Sequence, residues 1–172
     1  SNPIHGIDTF YSCRKYFGVA DGGYLYTDAE ADFEIAQDES CTRMDSLLKR
    51  IDLSPEAGYD DFHKSEVAIS HLPIRRMSKL TKRLMQSIDY QRAAQKRIDN
   101  YNTLRRTLGG RELHYGEIPM IFPYESAEGQ QLRQHLIANK VFVAKYWSNV
   151  DEWTQEDTVE RWMANHILPL PI

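Results

Sequence analysis

The sequence predicts an α/β protein, and three observations carry that prediction. Residues 7–27 read as two strand-like segments with a lysine and an Asp-Gly-Gly turn between them. From Met77 to Leu104 a repeat of three or four residues, the helical period, is apolar except at Gln91 and Gln95, and neither Gly nor Pro interrupts before Gly109-Gly110. Beyond that pair, strand-like and helix-like segments alternate, which indicates a small α/β layer.

Taken in order, the first element is a strand, followed by the lysine loop and a second strand, Tyr24-Leu25-Tyr26-Thr27. Residues 28–39 are acidic and suggest a short turn or helix. Residues 42–51 place Met44, Leu47, Leu48 and Ile51 at helical spacing. Ser54-Pro55-Glu56 is a helix start, with serine as N-cap and proline in the first turn, and residues 60–71 read as helix. A helix is then expected to begin at an N-cap, Ser78, and to run unbroken to about Leu108, where Gly109 stops it. Roughly 30 residues of helix would span about 45 Å, long enough to link two halves of the chain. Past the glycines the pattern predicts a strand at 118–122, a helix at 127–138 capped by Ser126, a strand at 141–146, a helix at 154–164 and a terminal apolar run. Trp147, Trp153 and Trp162 are spaced like core anchors. The expected organisation is therefore residues 1–75, a connecting helix at 76–110, and a small domain at 111–172.

Composition narrows the function classes. The chain has 172 residues, 41% hydrophobic and 27% charged, with a net charge of −4. That is ordinary for a folded domain and argues against a nucleic-acid binder, which would present a basic face. Basic residues do cluster between Arg75 and Arg106, as on a solvated helix face. Two cysteines, Cys13 and Cys41, predict neither a disulfide framework nor a zinc site and fit a reducing cytoplasm. The six histidines lack metal-ligand spacing, so no metal site is expected. No apolar stretch approaches the ~20 residues that span a membrane, and no signal peptide is visible.

The chemistry that stands out is Lys15-Tyr16-Phe17-Gly18-Val19-Ala20-Asp21-Gly22-Gly23, with Ser12 three places before the lysine. A lysine amine condenses with carbonyl compounds only in its neutral form. Free lysine titrates near ~10.4, so such a role calls for a drying environment or a neighbouring cation. Phe10, Tyr11, Tyr16 and Phe17 are candidates for the first and Arg14 for the second. Ser12 is a candidate donor to a phosphate. On residue chemistry alone the same stretch also reads as a β-hairpin with an Asp-Gly turn, and both readings stand.

Ser12-Cys13-Arg14-Lys15 followed by Tyr-Phe-Gly-Val-Ala-Asp-Gly-Gly resembles the cofactor-lysine segment of fold-type-I pyridoxal-phosphate enzymes. It is most similar to the DegT/StrS-type aminotransferases, whose lysine precedes a Gly-Glu-Gly-Gly turn. Arg75-Arg76-Met77-Ser78-Lys79-Leu80 resembles the Asn-Tyr-Arg-Met-Ser-Glu segment that opens the helix leading to the small domain. Ile118-Pro119-Met120-Ile121-Phe122-Pro123 and His166-Ile167-Leu168-Pro169-Leu170-Pro171 look like an early and a late strand of that domain. The resemblance thus runs in order along almost the whole chain. It implies Lys15 as the Schiff-base lysine, with Ser12, Arg14, Gly22 and Gly23 around the cofactor and Arg75 and Arg76 toward substrate. It also implies pyridoxal phosphate, small-molecule amino donor and acceptor, and a homodimer. The sequence departs from the family pattern in three places. Asp21 replaces the turn's glutamate, Phe10 stands where the sugar aminotransferases carry a serine, and Ile74 replaces an asparagine that reaches the neighbouring subunit's cofactor.

In the family the lysine lies past the middle of the polypeptide, after the phosphate loop, the ring-stacking aromatic and the aspartate on the pyridine nitrogen. The expectation is therefore a C-terminal piece of a longer protein, which as a fragment would look α+β and would not retain cofactor or transaminate alone. Two other readings follow from the same residues: a helical interaction module built on the long helix, and a non-catalytic relative that keeps the fold.

Overall fold

The computed structural model describes residues 3–29 and 34–172. Helices are combined with short strands that form two separate two-stranded antiparallel sheets. The chain divides into two compact units, one up to Asp89 and one from Tyr90 onward.

In the first unit, β1 (Thr9–Ser12) pairs antiparallel with β2 (Gly23–Tyr26), Thr9 opposite Tyr26 and Ser12 opposite Gly23. The expected strand–lysine loop–strand is therefore present. A 3₁₀ turn, Cys13–Lys15, leaves β1, and a second one, Cys41–Arg43, leads into α1 (Asp45–Asp52). α2 (Tyr59–Ser70) follows, and α3 (Lys79–Gln86) ends the unit's regular structure. The Ser54-Pro55 helix start is displaced. Ser54 Oγ does accept a bond from the Ala57 N–H at 3.2 Å, but the helix opens only after Gly58. A Cβ at Gly58 would lie 2.4 Å from the Ser46 carbonyl oxygen, so glycine is what lets this corner approach α1. Cys13, Val19 and Met85 form the buried centre, ringed by Phe17, Met77, Leu84 and Ile88. Residues 30–33, within the acidic stretch expected to turn, lie outside the described residues.

The single helix expected over residues 78–108 is not formed. Its ends are as read: Ser78 Oγ accepts from the Thr81 N–H at 3.0 Å, and Gly109 stops the helix at φ +79°. Between them the chain breaks at 87–89, and α4 (Tyr90–Leu108) begins afresh in the second unit. Ser87 donates its hydroxyl to the Leu84 carbonyl at 2.7 Å, and serine bonded to its own backbone in this way disfavours continuation. Ile88 meanwhile packs on the Cys13 cluster. A connecting helix at 76–110 is thus replaced by two helices, and the interaction-module reading loses the element it was built on.

In the second unit, β3 (Phe122–Glu125) pairs antiparallel with β4 (Ile167–Leu170), Phe122 opposite Leu170. α5 (Gly129–Ala138), a short α6 (Val150–Trp153) and α7 (Val159–His166) lie between them in sequence. Tyr101 of α4 tilts against Phe122 with ring centroids 5.0 Å apart, and its hydroxyl donates to the Arg111 carbonyl. Tyr101, Phe122 and Leu168 are fully buried. Four expectations need correction. The strand read at 118–122 begins only at Phe122. Residues 141–146 form no strand: Lys140 turns left-handed, the Val141 N–H bonds back to Leu136, and only Val143 faces inward. The helix read at 154–164 begins only at Val159 and runs to His166, because Thr154 and Thr158 are extended. The tryptophans are not core anchors either, since Trp147 and Trp153 are 72% and 76% exposed. Among the described residues no helix is long and apolar enough to cross a membrane.

Candidate functional site

The lysine loop is closed at its base and pinned at its far end. The Cys13 N–H bonds the Gly22 carbonyl at 3.1 Å, and the Phe17 N–H bonds Cys13 at 3.0 Å, which fixes the 3₁₀ turn carrying Arg14 and Lys15. Asp21 then enters the interior. It accepts from Thr81 Oγ1 at 2.5 Å and from Arg43 Nε at 2.8 Å. Arg43 also pairs with Asp38 at 2.5 Å, and Ser40 donates to Ser78 at 2.5 Å. A buried acid is tolerable only with such saturation. Gly22 follows at φ +94°, where a Cβ would stand 2.8 Å from the Thr81 methyl. The Asp-Gly-Gly turn is therefore a clamp: an acid to bind α3, and a glycine to fit beside it.

Lys15 is exposed and lines a cavity of about 440 Å³ between its loop, α1 and α2. Arg14, Arg43 and Arg50 bring further positive charge to the wall, and Phe17, Leu47, Ile51 and Phe62 make it apolar. Ser46, Ser65 and Glu66 complete the polar lining. Arg14 is ion-paired with Glu66, which ties the lysine turn to α2. Arg50 has no ion pair among the described residues. Lys49 and Asp61 join α1 to α2 at 2.6 Å, each stabilising the other's charge: the lysine is raised and the aspartic acid lowered by their hydrogen bond. The aromatic shell read from sequence does not close over Lys15, for Phe10 is 81% exposed on β1.

Of the residues singled out in the sequence, the structure gathers Arg14 and Lys15 at this cavity. Ser12 sits in β1 opposite Gly23, and Ser12, Gly22 and Gly23 are not among its lining residues. Arg75 lies 3.5 Å from Asp38, and Arg76 bridges Gln37 through its backbone; neither lines the cavity. Sequence reasoning missed Arg43, Arg50 and Thr81. Arg43 and Thr81 matter through Asp21, which is 22 and 60 residues away from them, so no local pattern marks them. Among the described residues no three His, Cys, Asp or Glu side chains are grouped to hold a metal ion.

Pyridoxal phosphate tests this set of groups. A primary amine meets its aldehyde, and an arginine and two hydroxyls suit its phosphate. Lys15 from the loop, Ser46 and Arg50 from α1 and Ser65 from α2 bring those functions to the cavity lining, together with apolar side chains that suit the ring. The residues fit the aldehyde and phosphate ends of the group. No family model, no curated protein and no solved structure matches the chain.

Proposed function

We propose that this chain carries the cofactor lysine of a pyridoxal-phosphate-dependent aminotransferase resembling the DegT/StrS enzymes, with the fold-type-I architecture that resemblance implies. The observation that supports it best is the placement of Lys15: an amine at an open cavity with a cationic and apolar lining, on a loop clamped by Asp21. When bound, pyridoxal phosphate supplies the electron sink that accepts negative charge from the substrate carbon. Lys15 Nζ would hold the cofactor and would move the proton at the substrate's Cα. Arg50, Ser46 and Ser65 would hold the phosphate. Arg14, tied to Glu66, keeps the turn seated on α2. The reading includes small-molecule amino donor and acceptor, a cytoplasmic setting and a homodimer.

The test is chemical trapping. The chain is incubated with pyridoxal phosphate, reduced with borohydride and mapped by peptide mass spectrometry. Lys15 should be labelled well ahead of the other lysines. Lys15→Ala should lose that label and leave the circular dichroism unchanged, since the side chain is exposed. Equal labelling of the lysines, or preference for another, overturns the assignment.

A further inference from the structure

Two arginines in this chain are equally buried, each 9% exposed, and their surroundings are opposite. Arg43 is saturated by Asp21, Asp38 and Ser40. Arg133, in the middle of α5, has no hydrogen bond or ion pair among the described residues, and its Nε is a buried donor without an acceptor. Arg133 lies one turn beyond Gly129, on the face of α5 that meets α7 and β4. That face is tightly approached: a Cβ at Gly129 would stand 2.3 Å from the Asn165 carbonyl oxygen. Three carboxylates of the same unit are engaged elsewhere, Glu112 with Arg105, Glu117 with Arg111, and Asp151 with Lys145 and Arg161.

A guanidinium stays charged at any ordinary pH, so it cannot escape burial by losing its proton. A charge held out of water without a partner is unfavourable, and buried charges are accordingly paired. The planar fork of arginine matches two oxygens of a carboxylate or phosphate. We propose that Arg133 is the receptor for an oxyanion, the carboxylate or phosphate group of a small molecule, bound in the unit that begins at Tyr90. The residual exposure of the side chain gives the anion its approach from solvent. This site does not rest on the Lys15 reading.

The experiment follows the Nε–Hε resonance of Arg133 in the ¹⁵N-labelled chain, assigned through its bonded carbons. Sodium phosphate and sodium acetate are titrated separately against sodium chloride at constant ionic strength, which removes screening as a cause. A saturable shift at Arg133, with exposed Arg76 unmoved, is the expected result. Saturation by acetate alone assigns a carboxylate, and by phosphate alone a phosphate. Arg133→Lys keeps the charge but loses the fork, and should weaken binding about tenfold or more. Absence of a saturable shift with both anions, or unchanged affinity in Arg133→Lys, overturns the site. Should the variant fail to fold, the titration of the native chain still decides.

Discussion

Asp21 does at residue scale what a longer acid would do less well. It enters a space bounded by Thr81 and Arg43 and satisfies both, while Gly22 turns the chain away at once. Removing one member of a buried ion pair strands the other charge. Asp21→Ala is therefore expected to lower stability by about 3 kcal/mol, because Arg43 keeps Asp38 as its one carboxylate and only the Ser40 hydroxyl besides, while Thr81 loses its acceptor. Urea unfolding checks this, and a loss under about 1 kcal/mol would contradict the clamp. Glu117 gives a second prediction with a definite sign. It receives Arg111's fork and the His114 N–H, which lower its pKa from 4.5 to about 2, the Arg111 bond being the larger cause. A carboxyl lowered on folding contributes stability that is complete above 4.5 and is lost as pH falls toward 2. The urea midpoint of the native chain should thus fall more steeply between those values than that of Glu117→Gln; parallel profiles would remove the pair from the acid response. At this scale the sequence was legible where a residue acts locally. Ser78 caps its helix, Gly109 stops one, and Lys15 lies in a loop between two strands. The partners of Asp21 were not legible, because they come from distant segments.

At the scale of elements, local signals located most helices and misjudged their joints. The apolar repeat from Met77 to Leu104 is real, and yet its members serve two different cores. Leu84 and Ile88 pack on the Cys13 cluster, whereas Tyr101 packs on Phe122. A period reports which side of a helix is apolar; it does not report whether successive turns face the same neighbour. Ser87 was the residue that marked the break, and a serine within a helical pattern is too common to read as one. The same reasoning explains residues 141–146, whose apolar side chains suggested a strand although only Val143 is enclosed. Two glycines set how closely helices meet. At Gly58 an added Cβ would meet the Ser46 carbonyl oxygen at 2.4 Å, and at Gly129 the Asn165 carbonyl oxygen at 2.3 Å. These obstacles are backbone atoms, so no rotamer change relieves them. Gly58→Ala and Gly129→Ala should each cost about 1–3 kcal/mol by forcing helices apart. Thermal unfolding of either variant within error of the native chain would show that the contact relaxes freely.

The whole molecule divides where the sequence showed continuity. Each unit has its own two-stranded sheet and its own buried centre, around Cys13, Val19 and Met85 in one and Tyr101, Phe122 and Leu168 in the other. The mixture of helix and strand was legible from alternating patterns, but the boundary was not, because it falls at 87–89 inside the strongest periodic stretch. Separate cores predict separate responses, and the chain carries its own reporter. Trp147, Trp153 and Trp162 all belong to the second unit, so tryptophan fluorescence follows that unit, while far-ultraviolet circular dichroism sums the helices of both. Gly129→Ala should shift the fluorescence transition in urea, and Gly58→Ala should leave it in place while shifting the dichroism transition. In the double variant the two costs should add to within about 0.5 kcal/mol, as they do for substitutions that share no partner. If the units unfold as a single cooperative body, each substitution moves both signals by the same amount, and the division at Asp89 has no thermodynamic counterpart.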